Sequence, residues 1–307
     1  MRFSYYNSPL FLKHDTGDHP ENARRLTAIN REVKKFIPKS KWVDPPDATG
    51  EQIEAVHDRG YIKTVKSACE NGQTALDMDT PISPMSYYAA IRGAGAGCHA
   101  VESIMNNTMD RAFCAVRPPG HHAEKNRAMG FCFFNNAAIA ARYALSLGAK
   151  RAAIVDFDVH HGNGTQHEFE NDKSVFFASI HRRGIYPGTG GENETGTPGA
   201  KGFTVNYPIE ALSGDEVYVS ILKDSLIPKL EEFKPDILLV SAGFDAHESD
   251  PLGGMSVTDG GYVRMTKLLS GFAESRCGGR MVSFLEGGYN INTLGVTVAA
   301  HIKILME

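Results

Sequence analysis

The chain has 307 residues, 42% hydrophobic and 22% charged, with a formal net charge of −4. That is ordinary for a soluble globular protein and long enough to bury a large core. The weak acidity excludes a global basic field for nucleic acid, and no apolar run approaches the roughly 20 residues needed to span a membrane. The five cysteines (Cys69, Cys98, Cys114, Cys132 and Cys277) are odd in number and form no CxxC, so neither a disulfide framework nor a cysteine-rich zinc site is signalled. The opening MRFSYYNSPLF lacks a basic segment followed by an apolar stretch, so the expected location is the cytoplasm, with no membrane partner.

In chain order, helices are predicted near Ala23–Phe36 and Tyr61–Glu70, with Pro20 and Glu21 suited to the first turn of the former. The small-residue run RGAGAGCHA, Arg92–Ala100, follows no strand, so its glycines read as close helix packing rather than a dinucleotide loop. Strands are predicted at Ala112–Val116, Ala152–Phe157, Ser174–Ile180, Ile237–Ser241 and Met281–Leu285. Most are continuous apolar runs, the signature of strands covered on both faces. Helices at Asn135–Leu147, Asp215–Glu232 and Thr258–Ser275 fall between them. The alternation predicts an α/β fold over residues 1–307, a single domain with a mostly parallel central sheet flanked by helices. In such sheets ligands bind beyond the carboxyl ends of strands, and the chemically rich residues follow strands here.

The first rich cluster is IVDFDVHHGNG, Ile154–Gly164. In an extended segment side chains alternate faces, so Asp156, Asp158 and His160 are expected on one side, and Phe157, Val159 and His161 on the other. A carboxylate and an imidazole two residues apart can close on one metal ion, and Asp245 in SAGFDAH can supply a third ligand. Three protein ligands leave open positions for water and substrate, as catalytic zinc sites require. A lone DxH would instead suggest capping or mutual hydrogen bonding, and His247 is a competing ligand on the Asp245 loop.

RPPGHHA, Arg117–Ala123, follows another predicted strand. Adjacent histidines seldom both satisfy a core. On a loop beside a metal, His121 and His122 can share acid–base work, with Asp156 as orienter of the first and Asn163 of the second. In FLEGGYN a strand ends in a Gly-Gly turn presenting Tyr289, a phenol that can donate to a developing oxyanion or simply pack over the turn.

Taken together, HPEN, RPPGHHA, GFCFFNN, DFDVHHGNGTQ, YPGTG, SAGFDAHESDPLGG and EGGYN resemble the histone deacetylase family of the arginase–deacetylase superfamily, in family order and across nearly the whole chain. The resemblance implies metal ligands at Asp158, His160 and Asp245, a dyad at His121 and His122, and Tyr289 as the transition-state tyrosine. Asn163 looks like the class II pattern. It further implies a monovalent-cation (potassium) site at Asp156, Asp158, His160 and Ser179, partly through backbone carbonyls. Phe131 and Tyr186 match the aromatics flanking a narrow acyl-amine channel, and Gly130 the glycine that lets a linear substrate pass. Zn²⁺, or Fe²⁺, is the implied ion, one per chain, since DxDxH supplies one divalent site where arginases need two.

The implied activity is removal of an acyl group, expected to be acetyl, from acyl-lysine or an acylated small amine. A polyamine amidohydrolase and a fold-retaining binder of acylated ligands are the alternatives. The short segment between His57 and Pro84 favours peptide or protein substrates, because polyamine enzymes tend to carry a dimerising insertion. One departure concerns the first loop: Asn22 stands in HPEN where many relatives read HPER, so the arginine of the acyl-release channel would come from Arg24 or Arg25.

Overall fold

The computed structural model describes all 307 residues. Its strands are β1 (Phe3–Tyr6), β2 (Trp42–Val43), β3 (Arg111–Cys114), β4 (Ala152–Asp156), β5 (Val175–Arg182), β6 (Thr204–Ile209), β7 (Ile237–Ala242) and β8 (Met281–Leu285). Its helices are α1 (Arg24–Val33), α2 (Gly50–Glu54), α3 (Arg59–Glu70), α4 (Ser86–Met105), α5 (Asn136–Ser146), α6 (Asn163–Phe169), α7 (Asp215–Ser220), α8 (Ile227–Phe233), α9 (Asp259–Arg276) and α10 (Leu294–Met306). All eight strands join one parallel sheet in the order β2-β1-β3-β8-β7-β4-β5-β6.

Strands β3, β8, β7 and β4 are buried along their whole length, as continuous apolar runs require when helices cover both faces. The small residues of α4 let it pack closely on α5, β3 and β8. Thr258 caps α9 by accepting from the Gly261 N–H. The helix expected at Asp215–Glu232 is instead α7 and α8 joined by a π-helical turn, Ile221–Leu226. Pro228 lies in the first turn of α8 and has no N–H to continue an α-helical ladder, so the hydrogen-bond register changes there.

The register decides the site. Cys114 pairs with Phe284, Phe284 with Ser241, Ser241 with Asp156, and Asp156 with Ser179. The carboxyl ends of five adjacent strands therefore lie at one level, and the segments that leave β3, β8, β7 and β4 are the motif-bearing loops.

Candidate active site

The chain leaves β4 at Asp156, so the pleated alternation expected through His161 does not hold. Short turns sort the side chains instead: the Asp158 N–H donates to Asp156 Oδ1 (3.0 Å), and the His160 N–H donates to Asp158 Oδ1 (2.9 Å). In such turns a short carboxylate takes a backbone N–H two residues on. Asp156 is thereby directed to His121, Asp158 and His160 face Asp245, and His161 points away to Thr189 and Gln166.

Asp158, His160 and Asp245 offer one ligand atom each within 4.8 Å of one another. Their outward oxygens are occupied: Gly287 N–H donates to Asp158 Oδ2 (2.8 Å) and Val159 N–H to Asp245 Oδ1 (3.0 Å). Asp245 Oδ2 is buried without a hydrogen bond. His160 Nδ1 lies 3.2 Å from it but is also 3.0 Å from Asp158 Oδ1, which takes the ring proton. Burial and the nearby Asp158 carboxylate push Asp245 up to about 7. Two buried carboxylates, one with an oxygen that has no hydrogen bond, and one imidazole form a donor set whose charge a divalent cation would balance. These donors fit such an ion. Gly287 lets the backbone reach them, since a Cβ there would lie 2.1 Å from Asp245 Oδ2. His247 is outside this set: its Nδ1 meets Ser249 Oγ at 2.8 Å, and its Nε2 lies 3.6 Å from Asp259.

Beside the cluster the two dyad rings lie 4.0 Å apart, centroid to centroid. His121 Nδ1 meets Asp156 Oδ2 at 2.9 Å and His122 Nδ1 meets Asn163 Oδ1 at 2.7 Å. The Asn163 amide is oriented by Glu124, whose Oε1 accepts its N–H at 2.5 Å, so the carbonyl oxygen faces His122. That arrangement puts a proton on His122 Nδ1 and leaves Nε2 as the basic nitrogen. The rings differ in charge. Burial would depress His121, but the Asp156 and Asp158 carboxylates outweigh it and raise it to about 10. Burial and the charges of His121 and His160 hold His122 well below its ordinary value.

A cavity of about 200 Å³ opens over these groups, lined by His122, His160, Gly130, Phe131, Tyr186 and Tyr289, with Asp79 and Leu252. The Tyr186 ring meets His122 edge-on at 5.1 Å, and Phe131 meets Tyr289 edge-on at 5.9 Å. Gly130 has φ +56°, and a Cβ there would lie 2.3 Å from His122 Cδ2 and 2.9 Å from Tyr186 Cε1. Burial holds the Tyr289 phenol well above its ordinary value, so it stays protonated. Ser179 lies outside this cavity, beside Asp156 in register, with its hydroxyl 2.9 Å from His181 Nδ1.

Asp79 carried no role in the motifs above, and Arg25 only a shared one with Arg24. Asp79 reaches the cavity from the 71–83 loop and accepts from the Gly130 N–H (3.2 Å). Its loop holds no strand or helix, so periodicity gives no signal for it. The second concerns the first loop. Arg25 is fully buried beneath Tyr289 and donates to the carbonyls of Gly288 (2.6 Å) and Glu286 (2.5 Å), whereas Arg24 is exposed. Asn22 lies just ahead of α1, accepting from the Arg24 N–H (3.0 Å). Of the two arginines that follow HPEN, Arg25 is the one that packs into the interior.

A parallel sheet whose strand ends gather Asp156, Asp158, Asp245, three imidazoles and the Tyr289 phenol beside one small cavity has the anatomy of a metal-dependent hydrolase. Residues 19–305 match the histone deacetylase domain. The chain is 39% identical to histone deacetylase 14, chloroplastic, of Arabidopsis thaliana, across 98% of this chain and 76% of that protein. It is 37% identical to a probable deacetylase of Archaeoglobus fulgidus, across 92% of this chain and 79% of that protein. Its fold matches the crystal structure of the HDA15 HD domain with a TM-score of 0.94 and 36% identity, over 99% of this chain and 90% of that one. The chain belongs to the histone deacetylase family.

Proposed function

We propose that this protein is a zinc-dependent amidohydrolase that removes an acyl group, acetyl in the first instance, from acyl-lysine in a peptide or protein. The observation that carries the reading is the pair of differently charged imidazoles set beside the Asp158, His160 and Asp245 donors at the floor of a narrow cavity. A divalent ion held by those three residues, Zn²⁺ with Fe²⁺ as the alternative, supplies polarisation of the amide carbonyl and acidification of water.

The chain's own groups do the rest. Phe131 and Tyr186 line the cavity and confine a linear acyl-amine side chain between them. His122 is neutral with a free Nε2, so it accepts the proton of the attacking water. His121 stays protonated against Asp156, and its charge favours the oxyanion. An ion bound at Asp158 would counter part of that carboxylate's pull on His121. Tyr289 keeps its proton and donates to the oxyanion as the carbonyl becomes tetrahedral. His122 then returns its proton to the leaving amine, which departs poorly unless protonated. The products are a carboxylate and a free amine.

We further place a potassium ion beside Asp156, Asp158, His160 and Ser179, supported by the strand register that sets Ser179 next to Asp156. The proposed location is the cytoplasm, and no helix is long and apolar enough to cross a membrane. Turnover of fluorogenic acetyl-lysine peptides, compared with acetylated polyamines, tests the function. A preference for acetylpolyamines replaces the peptide reading, and no turnover by metal-replete protein of either class refutes the deacylase.

A further inference from the structure

Glu286 follows β8 directly and is wholly buried, yet it lies outside the cavity lining. One carboxylate oxygen, Oε2, accepts from two consecutive backbone donors of the dyad loop, Gly120 N–H at 2.7 Å and His121 N–H at 3.2 Å. The other, Oε1, accepts from Ser241 Oγ on β7 at 3.0 Å. Its own carbonyl is held by Arg25, and the next N–H, that of Gly287, donates to Asp158 Oδ2. At its other end the dyad loop is tied by Arg117, whose guanidinium grips Glu21 (Nε–Oε1 2.5 Å, NH2–Oε2 2.8 Å) and the carbonyl of Phe11 (2.8 Å). Only Glu286 supplies a side-chain acceptor for the two backbone N–H groups leading into His121.

We propose that Glu286 is the positioning residue of the histidine dyad, its carboxylate fixing the Gly120–His121 backbone and so the placement of both imidazoles relative to Tyr289. The inference rests on the dyad reading given above. A buried N–H pair strongly favours an acceptor, and an acceptor in the short turn between β8 and Tyr289 links base and oxyanion donor through one segment. Burial pushes the Glu286 carboxyl up to about 7, and in a glutamine the amide oxygen can accept from the two loop N–H groups while the amide NH2 donates to Ser241 Oγ, without the burden of a buried charge. Aspartate, about 1.5 Å shorter by one carbon–carbon bond, would have to leave either the loop or Ser241.

The test is a series, Glu286→Gln, Glu286→Asp and Glu286→Ala, each counted by titration with a hydroxamate so that kcat is per intact site. Glutamine should keep kcat within about 3-fold of wild type. Aspartate and alanine should lose on the order of 10–10² in kcat with KM within about 3-fold, the pattern of misplaced catalytic groups. In metal-free protein, the ¹⁵N imidazole signals of His121 and His122 should move in the aspartate variant and return in the glutamine variant. Equal kcat for aspartate and glutamine overturns the proposal, as does a glutamine variant no better than alanine. If wild-type protein turns over no acyl-amine, the deacylase reading fails, and the imidazole signals still decide whether Glu286 positions the rings. Should alanine not fold, the aspartate–glutamine comparison carries the result.

Discussion

Tyr289 lines the cavity and Asp158 is buried in the cluster with His160 and Asp245, and the two should fail in different ways when changed. Tyr289→Phe removes one hydroxyl and leaves the ring to pack on Phe131. If the phenol stabilises the oxyanion, kcat should fall by on the order of 10²–10³ with little change in KM. Metal content and melting temperature should stay near wild type. Steady-state kinetics with metal content measured alongside checks this, and near-normal kcat in metal-replete protein would remove Tyr289 from the reaction. Asp158→Ala should instead strip the ion, because His160 and Asp245 alone are too few to hold it. Elemental analysis should give about one divalent ion per wild-type chain, the count expected of a mononuclear catalytic site, and well under half of that in the variant. Two ions per wild-type chain would point to a dinuclear centre.

At the level of elements, the loops after β3 carry the argument. Gly130→Ala would force a left-handed backbone on alanine, at about 1–2 kcal/mol, and drive a methyl into His122 and Tyr186. The expected result is a loss in kcat/KM of on the order of 10² and a lower urea midpoint. Unchanged kinetics would show that the channel wall is not where the substrate passes. The approach to α1 is a second case. Glu21 is buried between Arg117, Arg25 and His14. Burial would raise its carboxyl, but the Arg117 charge more than offsets this and holds it well below its ordinary 4.5. A depressed folded value gives stability that is complete above about pH 4.5 and lost as pH falls below it. Wild type should therefore lose stability on acidification more steeply than Glu21→Gln, which begins about 3–5 kcal/mol weaker because Arg117 is left unpaired. Urea midpoints at three pH values down to the mid-acid range measure this, and parallel lines for the two proteins would contradict it.

For the whole molecule, ligand binding and stability are linked. A linear hydroxamate offers two oxygens to the ion and a chain to the aromatic channel. At 100 times its Kd it should add about 2.7 kcal/mol, a rise in Tm on the order of 5 °C for a chain this long. Chelator-stripped protein should show almost none of that shift. An equal shift with and without the ion would mean that the inhibitor binds elsewhere.

Periodicity and motif order determined a good deal without coordinates. The buried strands β3, β4, β7 and β8 are continuous apolar runs, so their existence and parallel pairing follow from composition, and the catalytic residue types stand in recognisable order behind them. Strands β1, β2 and β6, at or next to the sheet edges, were not legible: β1 and β2 are four residues or fewer, and β6 alternates and contains Pro208. Helix α6 begins inside a motif, at Asn163, and gives no separate periodic signal. The convergence of the site lay beyond local reading too. Strand order places β8 and β7 between β3 and β4, so Glu286 reaches Gly120 across 166 positions of chain, and Asp245 reaches Val159 across 86. The choice of Arg25 over Arg24 was likewise tertiary, because neighbours on a helix point to different faces and only packing shows which face meets Tyr289. Residue chemistry belongs to the sequence, whereas distances between residues far apart in the chain belong to the sheet that aligns the strand ends.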